Sequence, residues 1–156
     1  MRRVLITGSA GFLGRHLCAA VRASGAEPRG LDLAEGTPEG VETLRGSLDD
    51  DALLARALDG VDAVIHAAAL ADLWRADPAE FDAVNHQGAR RLFRGALAAG
   101  VRRVAHISSY TTLIAGGRVD PGAPLDETVE HPPGALLGPY PAAKRRAELA
   151  AVAAAR

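Results

Sequence analysis

Short apolar runs alternate with amphipathic stretches along this chain, which predicts strands separated by helices. The residues Val4–Thr7 are all apolar or β-branched and predict a buried first strand. Behind them Leu13, Leu17 and Val21 recur at helical spacing, and Gly25 stands where a helix should end. The start of the chain therefore predicts a strand, a turn and a helix.

The same alternation continues to the end of the chain. The pattern predicts further strands at residues 28–33, 41–44, 63–66 and 101–108. It also predicts a helix at 50–58 and a longer helix with one apolar face over 81–92, closed by Gly100. A loop rich in proline and glycine, from about residue 116 to 139, then leads to a last helix with Pro141 in its first turn.

Alternating strands and helices are typical of α/β proteins in which helices cover both faces of a parallel sheet. Right-handed crossovers favour a Rossmann-type sheet with the strand order 3-2-1-4-5. We expect residues 1–156 to form one such domain, because a chain of 156 residues buries a single core. Ligands of these sheets bind at the carboxyl ends of the strands, where Gly8, Asp32, His66 and Ser108 fall.

Composition and charge exclude several classes of function. Hydrophobic residues make up 48% and charged residues 24% of the chain, which is typical of a soluble globular protein. A net charge of -1 gives no attraction to nucleic acid or to an anionic membrane, so neither is an expected partner. Gly8, Gly11 and Gly14 interrupt the first apolar run too early for an export signal or a membrane-spanning helix.

Cysteine and histidine usage bears on location and on metals. Cys18 is the single cysteine, which argues against disulfides and cysteine-based metal sites and favours a reducing cytoplasm. His66, His86 and His106 lack metal-ligand spacing with carboxylates. We therefore expect no metal site and interpret these histidines as structural.

The glycine-rich turn after the first strand is a candidate for ligand binding. Gly8, Gly11 and Gly14 lie between a predicted strand and a predicted helix, which is the context of a dinucleotide-binding turn. Gly8 suits the tight turn, Gly11 the close approach of a pyrophosphate, and Gly14 the close packing of helix on strand. Free N–H groups at the start of the helix would bind the anion. The alternative is a glycine turn without a ligand.

Asp32 follows Gly14 by eighteen residues and ends the second predicted strand. An acid near this position accepts hydrogen bonds from the ribose hydroxyls of a bound dinucleotide and repels a 2'-phosphate. No arginine follows it directly, and Arg29 is expected to point elsewhere, so the sequence favours NAD over NADP. The alternative for Asp32 is a solvated charge at a strand end.

The single lysine, Lys144, follows Tyr140 by four residues. On a helix this spacing places both side chains on one face, so an ammonium can lie beside a phenol. The positive charge favours the phenolate, which suits the tyrosine for proton exchange with a substrate hydroxyl. Chance pairing is the alternative.

Together with further motifs, these features give the chain a family resemblance. It resembles the extended short-chain dehydrogenase/reductases, and within them the NAD-dependent epimerase/dehydratase group. The segments 73–78 and 108–113 look most like hopanoid-associated sugar epimerases and dihydroflavonol-reductase-like proteins. The motifs are Thr7-Gly8-x-x-Gly11-x-x-Gly14, Val64-Ile65-His66-Ala67-Ala68-Ala69, Asn85-x-x-Gly88, His106-Ile107-Ser108-Ser109 and Tyr140-x-x-x-Lys144-x-x-x-Glu148.

The resemblance implies roles for individual residues. Ser109 would hydrogen-bond the substrate oxygen, Tyr140 would act as general acid/base, and Lys144 would hold the nicotinamide ribose and stabilise the phenolate. The implied cofactor is NAD. The implied activity is hydride transfer on a small molecule, such as a nucleotide sugar or another carbonyl or hydroxyl compound. The residues implied in cofactor binding are Gly8, Gly11, Phe12, Leu13, Gly14, Asp32, Ser47, Leu48, Ala67, Ala68, Ala69, Asn85, Ser108, Tyr140 and Lys144.

Several of these residues also have purely structural interpretations. Ser108 and Ser109 can serve as turn formers at a strand end, and Asn85 can be a satisfied buried amide. The run Ala67 to Ala69 can be simple core packing. These alternatives stay open at the level of sequence.

Two departures from the family set a second hypothesis beside the first. Family members often carry an acid after the third strand, where this chain has Ser47, and they continue through further strands beyond the catalytic-tyrosine helix. We therefore expect either the cofactor-binding half of an enzyme or a nucleotide-binding module without turnover. The resemblance also implies a homodimer through the long helix and the final helix. We further expect the edge of the fifth strand to be exposed and the small residues 143, 147, 150 and 154 of the last helix to be short of neighbours.

Overall fold

The fold is taken from a computed structural model that describes residues 2–36, 38–72, 74–116 and 124–155. Within these residues, five strands form one parallel sheet in the order β3-β2-β1-β4-β5. The expected α/β, Rossmann-type sheet and its strand order are confirmed. The strands are β1 (Arg3–Thr7), β2 (Glu27–Asp32), β3 (Glu42–Arg45), β4 (Ala63–His66) and β5 (Arg103–His106).

The helices alternate with the strands as the sequence pattern predicts. α1 starts directly after the glycine turn, and the carboxylate of Asp50 caps α2 by accepting from the N–H of Leu53 at 2.9 Å. Pro139 opens the last helix, in the first turn, where a proline costs no backbone hydrogen bond. The helices are α1 (Phe12–Ala23), α2 (Asp51–Leu58), α3 (Ala79–Phe81), α4 (Ala89–Ala98) and α5 (Pro139–Ala154). Short 3₁₀ turns occur at Tyr110–Leu113 and Pro133–Ala135.

The main hydrophobic core lies between the sheet and two helices. Leu5, Leu31 and Val64 point from β1, β2 and β4 to one face, where they pack with Leu54 of α2 and Leu92 of α4. Each of these side chains is at most 3% exposed. Full burial of such a side chain is worth about 1.5–3 kcal/mol, so this face holds the sheet and these helices in place.

β5 is shorter than predicted. It ends at His106, two residues before the expected end at Ser108. The hydroxyl of Ser108 instead donates to Glu148 on α5, and that of Ser109 caps the following 3₁₀ turn. The serines therefore leave the sheet to meet a helix. β5 is an edge strand among the described residues, and its Val104 is 41% exposed, as expected.

The long helix contains a π-helical stretch that the sequence did not predict. α3, the stretch Asp82–Gly88 and α4 follow one another with helical backbone angles at the junctions. Asp82 accepts from the side chain of Gln87, five residues later, at 3.3 Å, and from Arg146 of α5 at 2.7 Å. A contact between residues five apart suits the wider π turn, which gives a physical reason for the stretch.

The expectation that the last helix is short of neighbours is wrong. Ala143 and Ala147 are fully buried, and Ala147 packs with Ala89 and Phe93 of α4. Small side chains allow α5 to approach α4 closely, so the chain itself covers this face. No helix in the described part of the chain is long and apolar enough to cross a membrane.

Candidate active site

A cavity of about 340 Å³ opens at the carboxyl ends of the strands. It lies where Rossmann-type sheets bind their ligands. Of the residues implied in cofactor binding, those that line it are Gly8, Gly11, Asp32, Ser47, Leu48, Ala67, Ala68 and Ala69. Those that lie outside its lining are Phe12, Leu13, Gly14, Asn85, Ser108, Tyr140 and Lys144. The structure thus brings one part of the implied set together at one cavity.

Two of the three motif glycines, Gly8 and Gly14, lie where a side chain would collide or strain the backbone. Gly8 has a φ of +73°, and a Cβ there would lie 2.8 Å from the backbone nitrogen of Ala68. A Cβ on Gly14 would lie 2.0 Å from the carbonyl oxygen of Gly8. Gly11 borders the cavity and keeps its floor free of side-chain atoms. These positions fit the turn, the approach and the packing predicted from the sequence.

The start of α1 faces this turn with free donors. Gly11 is the N-cap residue, makes no side-chain cap, and is followed by no acidic residue in the first turn. The first N–H groups of an α-helix have no partner within the helix, so Phe12 and Leu13 present donors to an anion. The side chain of Phe12 is 84% exposed, and its ring contacts that of His16 at a tilt of 51°, with ring centroids 4.7 Å apart.

Asp32 borders the cavity at the end of β2, and its carboxylate is held by two backbone groups. Oδ2 accepts from the N–H of Ala10 at 2.8 Å, and Oδ1 accepts from the N–H of Ala34 at 2.9 Å. Each carboxylate oxygen keeps a further lone pair, so both can still accept a ligand hydroxyl. Asp32 is therefore oriented before any ligand arrives.

Three arginines near the end of β2 donate to acceptors within the protein, and one of them is Arg15 of α1, whose Nε donates to the carbonyl of Ala10 at 2.8 Å. Arg29, as expected, points elsewhere: it pairs with Glu42 at 2.9 Å and donates to carbonyls at the end of α2. Arg45, opposite Asp32 on β3, donates to the carbonyl of Leu33 at 3.1 Å and pairs with Glu35. All three guanidinium groups thus have acceptors within the protein.

Asp49 is a cavity residue that the sequence analysis missed. It borders the cavity beside Ser47 and Leu48, and its N–H donates to the hydroxyl of Ser47 at 3.1 Å. An acid thus borders the cavity two residues after Ser47, the position at which family members often carry one. The presence of an acid two residues after Ser47 is the sequence signal from which Asp49 could have been predicted to border the site.

The segment Ala67–Leu70 forms the opposite wall of the cavity. Asn85, 1% exposed, accepts from the N–H of Leu70 at 2.8 Å and donates to its carbonyl at 2.9 Å. The hydroxyl of Thr7 accepts from the N–H of Ala68 at 3.2 Å. Asn85 thus lies behind the wall, and its amide is fully satisfied by it.

Lys144 is buried on the face of α5 that meets the end of β5. Its ammonium donates to the carbonyl of Ile107 at 2.5 Å, and the residue is 3% exposed. Burial lowers the pKa of Lys144 to about 8, an effect that the carboxylate of Glu148 opposes. A lysine held this way carries a compact positive charge in a largely dry environment.

Tyr140 and Ser109 lie on the two elements that border Lys144. Tyr140 is one turn earlier on α5, with its ring edge-on to Phe81 at a centroid distance of 6.0 Å. Ser109 directly follows the strand-end segment that Lys144 contacts, and its hydroxyl lies 2.8 Å from that of Thr111. All three residues implied in catalysis are therefore on α5 or on the segment that α5 contacts.

Glu148 is a second residue to which the sequence analysis gave no role. Its carboxylate accepts from Ser108, from Thr112 at 3.2 Å and from Arg145 at 2.9 Å. Glu148 follows Lys144 by four residues and lies on the same face of α5. This spacing is the sequence signal from which a role for Glu148 could have been predicted.

Two buried imidazoles lie behind this region. His66 and His106 are register neighbours on β4 and β5, stack with centroids 5.1 Å apart, and both meet the ring of Phe93 edge-on. Burial lowers the pKa of His66 to about 3 and that of His106 to about 4, with Lys144 acting in the same direction. Both are neutral at physiological pH. The described residues contain no group of three or more histidine, cysteine or carboxylate side chains placed to hold a metal ion.

The sequence matches the model of the NAD dependent epimerase/dehydratase family over residues 4–156. The chain belongs to this family. The resemblance seen in the motifs is thereby confirmed, and the match includes both the cavity and α5.

Similar proteins include enzymes of more than one activity. A ketoreductase of Stigmatella aurantiaca is 34% identical over 94% of this chain and 44% of its own length. Its name gives 4-hydroxy-2-methyl-3-oxo-4-farnesyl-3,4-dihydroquinoline-1-oxide as its substrate. A UDP-glucose 4-epimerase of Mycolicibacterium smegmatis is 34% identical over 94% of this chain and 49% of its own. The structure of a Thermus thermophilus UDP-glucose 4-epimerase in complex with NAD superposes with a TM-score of 0.83, at 31% identity over 94% of this chain and 49% of that one. The chain therefore spans about half the length of these relatives.

Proposed function

We propose that residues 1–156 form the NAD-binding domain and catalytic helix of a hydride-transferring epimerase, dehydratase or carbonyl reductase. The observation that carries this proposal is the cavity, which is bordered by the glycine turn, including the N-cap residue Gly11 of α1, and by the oriented Asp32. Gly11 and the first N–H groups of α1 would bind the pyrophosphate, and Asp32 would accept from the adenosine ribose. Ser47 or Asp49 would accept from the adenine amine at the other end.

The proposed cofactor is NAD rather than NADP. A 2'-phosphate at the adenosine ribose would meet the carboxylate of Asp32, whose negative charge would repel it. Arg29 is bonded to carbonyls and to Glu42, and Arg45 is paired with Glu35. Release of Arg45 to a phosphate would leave Glu35 unpaired near the same site.

The catalytic part of the proposal concerns Ser109, Tyr140 and Lys144. NAD, when bound, supplies the hydride acceptor and donor. Tyr140 would exchange a proton with the substrate hydroxyl, and Ser109 would donate to the same oxygen. The ammonium of Lys144, one turn along the helix, would favour the phenolate of Tyr140 and bind the nicotinamide ribose through its remaining hydrogens.

The substrate proposal is drawn from the relatives, whose names include a ketoreductase and UDP-glucose epimerases. We propose a small molecule with a carbonyl or a secondary hydroxyl, for which a nucleotide sugar is one candidate. We also propose a homodimer through the long helix and α5, and a cytoplasmic location. These rest on family resemblance and on the single buried Cys18.

A second candidate function is nucleotide binding without turnover. The observation that favours it is that Ser109, Tyr140 and Lys144 do not border the cavity, while the chain spans about half of its relatives. Catalysis needs the substrate carbon near the nicotinamide and its oxygen within reach of Tyr140. We expect these 156 residues alone to bind NAD but to give no enzyme-like turnover of a nucleotide sugar.

The experiment is a calorimetric titration of NAD, NADH, NADP and NADPH into the purified chain. Asp32→Asn removes the charge at the ribose, and Asp62→Asn is the matched control. Asp62 also accepts from a backbone N–H, that of Arg3 at 3.0 Å, but at the opposite end of the sheet. We expect wild type and Asp62→Asn to favour NAD, and Asp32→Asn to lose that preference. Equal or tighter binding of NADP by wild type contradicts the assignment of Asp32.

A further inference from the structure

The carboxylate of Glu148 joins the two elements that carry the residues implied in catalysis. Oε1 accepts from the hydroxyls of Ser108 and Thr112, and Oε2 accepts from Arg145 at 2.9 Å. The Glu148 side chain is 22% exposed, so these bonds are made in a partly dry environment. Charge-assisted hydrogen bonds of this kind are stronger than neutral ones, and each restricts the geometry of its donor.

Both hydroxyl partners of Glu148 belong to the segment that presents Ser109. Ser108 is its chain neighbour. Thr112 contacts Ser109 through its N–H, which donates to the carbonyl of Ser109 at 3.1 Å. The single proton of the Thr112 hydroxyl is shared between that carbonyl, at 2.8 Å, and the Glu148 carboxylate, at 3.2 Å. A shift of the Glu148 carboxylate therefore moves the turn on which the Ser109 hydroxyl is presented.

The same face of α5 also holds Ile107, the residue that precedes Ser108 in the chain. Lys144, one turn before Glu148, donates to the carbonyl of Ile107, which directly precedes Ser108. Two successive turns of α5 thus hold the three consecutive residues Ile107 to Ser109, directly or through Thr112. We propose that Glu148 is a positioning residue, whose carboxylate sets the Ser109 turn against the Tyr140 and Lys144 face of α5.

Glu148 also sets the charge around Lys144. Within the described residues, the charged or titratable groups around this ammonium are Tyr140, Arg145 and Glu148 on α5, His66 on β4 and His106 on β5. Glu148 is the one carboxylic acid among them. Its negative charge opposes the effect of burial, which by itself favours the neutral amine. The carboxylate therefore keeps Lys144 charged over a wider range of pH than burial alone would allow.

A merely structural role makes a different prediction. If Glu148 acts only through the shape of its side chain and its charge does not reach Lys144, an isosteric amide that keeps the fold should leave the titration of Lys144 unchanged. This positioning role rests on the proposed function, because Ser109, Tyr140 and Lys144 have catalytic meaning only there. The test therefore measures Lys144 in the protein alone, and cofactor binding separately.

The single lysine makes the test direct. Protein grown with ε-¹³C-lysine gives one side-chain signal, from Lys144, which can be followed through a pH titration. The variants are Glu148→Gln, Glu148→Asp and, as matched control, Glu27→Gln. Glu27 is also a half-buried glutamate paired with an arginine, Arg3, but lies at the amino-terminal end of the sheet.

We expect wild type and Glu27→Gln to titrate alike near pH 8, Glu148→Gln to titrate at lower pH, and Glu148→Asp to return towards wild type. The same midpoint in folded Glu148→Gln as in Glu27→Gln overturns the proposal. A shift in Lys144 without NAD binding by wild type would instead uphold the coupling and refute the proposed function.

A second measurement covers the case in which Glu148→Gln does not fold. Ser108→Ala removes one donor and leaves both charges in place. We expect amide hydrogen exchange at Thr112 to accelerate roughly fivefold or more in Ser108→Ala, since one hydrogen bond holding the turn is lost. Unchanged exchange at Thr112 shows that the Glu148 contact does not position the turn and overturns the proposal.

Discussion

Acidification should destabilise this protein through His66, which is 1% exposed in the core behind the catalytic helix. Its pKa falls from an ordinary 6.5 to about 3, first because of burial and then because of the charges of His106 and Lys144. The folded-state pKa lies below the unfolded one. As pH falls through 6.5 towards 3, the unfolded chain takes up a proton that the folded protein refuses, and stability is lost.

The size of this effect follows from the gap between the two pKa values. A pH of about 5 lies about 1.5 units below the pKa of the unfolded histidine, so this histidine is protonated in the unfolded chain and neutral in the folded protein. The difference lowers the free energy of unfolding by about 2 kcal/mol. His106 acts in the same direction, because with its pKa of about 4 it is also neutral in the folded state at about pH 5 and costs a similar amount there. A loss of this size is a large part of the total stability of a small domain.

Urea denaturation at about pH 8 and about pH 5 measures the difference. His66→Gln removes the titrating group, and His16→Gln, on the exposed side of α1, is the control. We expect the drop in unfolding free energy between the two pH values to be about 2 kcal/mol smaller in His66→Gln than in wild type or in His16→Gln. An equal drop in all three proteins would refute the assignment of acid sensitivity to His66.

Four further substitutions have expected effects on stability. Ser9→Ala should raise the free energy of unfolding by about 1 kcal/mol in urea denaturation, because the Ser9 hydroxyl is buried without a hydrogen-bond partner among the described residues. A lower free energy of unfolding in Ser9→Ala would contradict this expectation. Gly14→Ala should cost about 3 kcal/mol or more, since its Cβ would lie 2.0 Å from the carbonyl oxygen of Gly8. Gly25 has a φ of +79° but no atom within 4 Å of an added Cβ, so Gly25→Ala should cost only about 1 kcal/mol. Equal shifts in melting temperature for Gly14→Ala and Gly25→Ala would contradict the helix-packing role of Gly14. Lys144→Met should raise the free energy of unfolding by about 1–3 kcal/mol near pH 7, because below the Lys144 pKa of about 8 the folded state carries a buried charge. Calorimetric melting measures this gain, and the absence of a gain would contradict the burial of the charge.

Much of the fold was predictable because its signals are local. The strand, glycine turn and helix at the start of the chain, and the order of the sheet, follow from residue spacing and from the handedness of crossovers. Gly14 is required by its contact with the carbonyl of Gly8, and Gly8 is favoured locally by its own φ of +73°. Asp32 could be placed because the strand before it fixes which end of the sheet it occupies.

The remainder depends on contacts between distant parts of the chain. The π-helical stretch involves Arg146, which is 64 residues from Asp82. The early end of β5 depends on Glu148, which is 40 residues from Ser108. The burial of Ala147 depends on Phe93 of another helix. Nothing in the local pattern around these residues identifies the partner, so the sequence could name the motif that contains Glu148 but not its role.

The most direct test of the proposed site is to locate bound NAD on the protein by amide chemical shifts. Addition of NAD to ¹⁵N-labelled protein should move the signals of residues around the cavity, among them Gly8, Gly11, Asp32 and Ala68, in one saturable process. The signal of Asp62, at the opposite end of the sheet, should stay in place. No change at saturating NAD, or changes confined to residues away from the glycine turn and Asp32, would contradict the account.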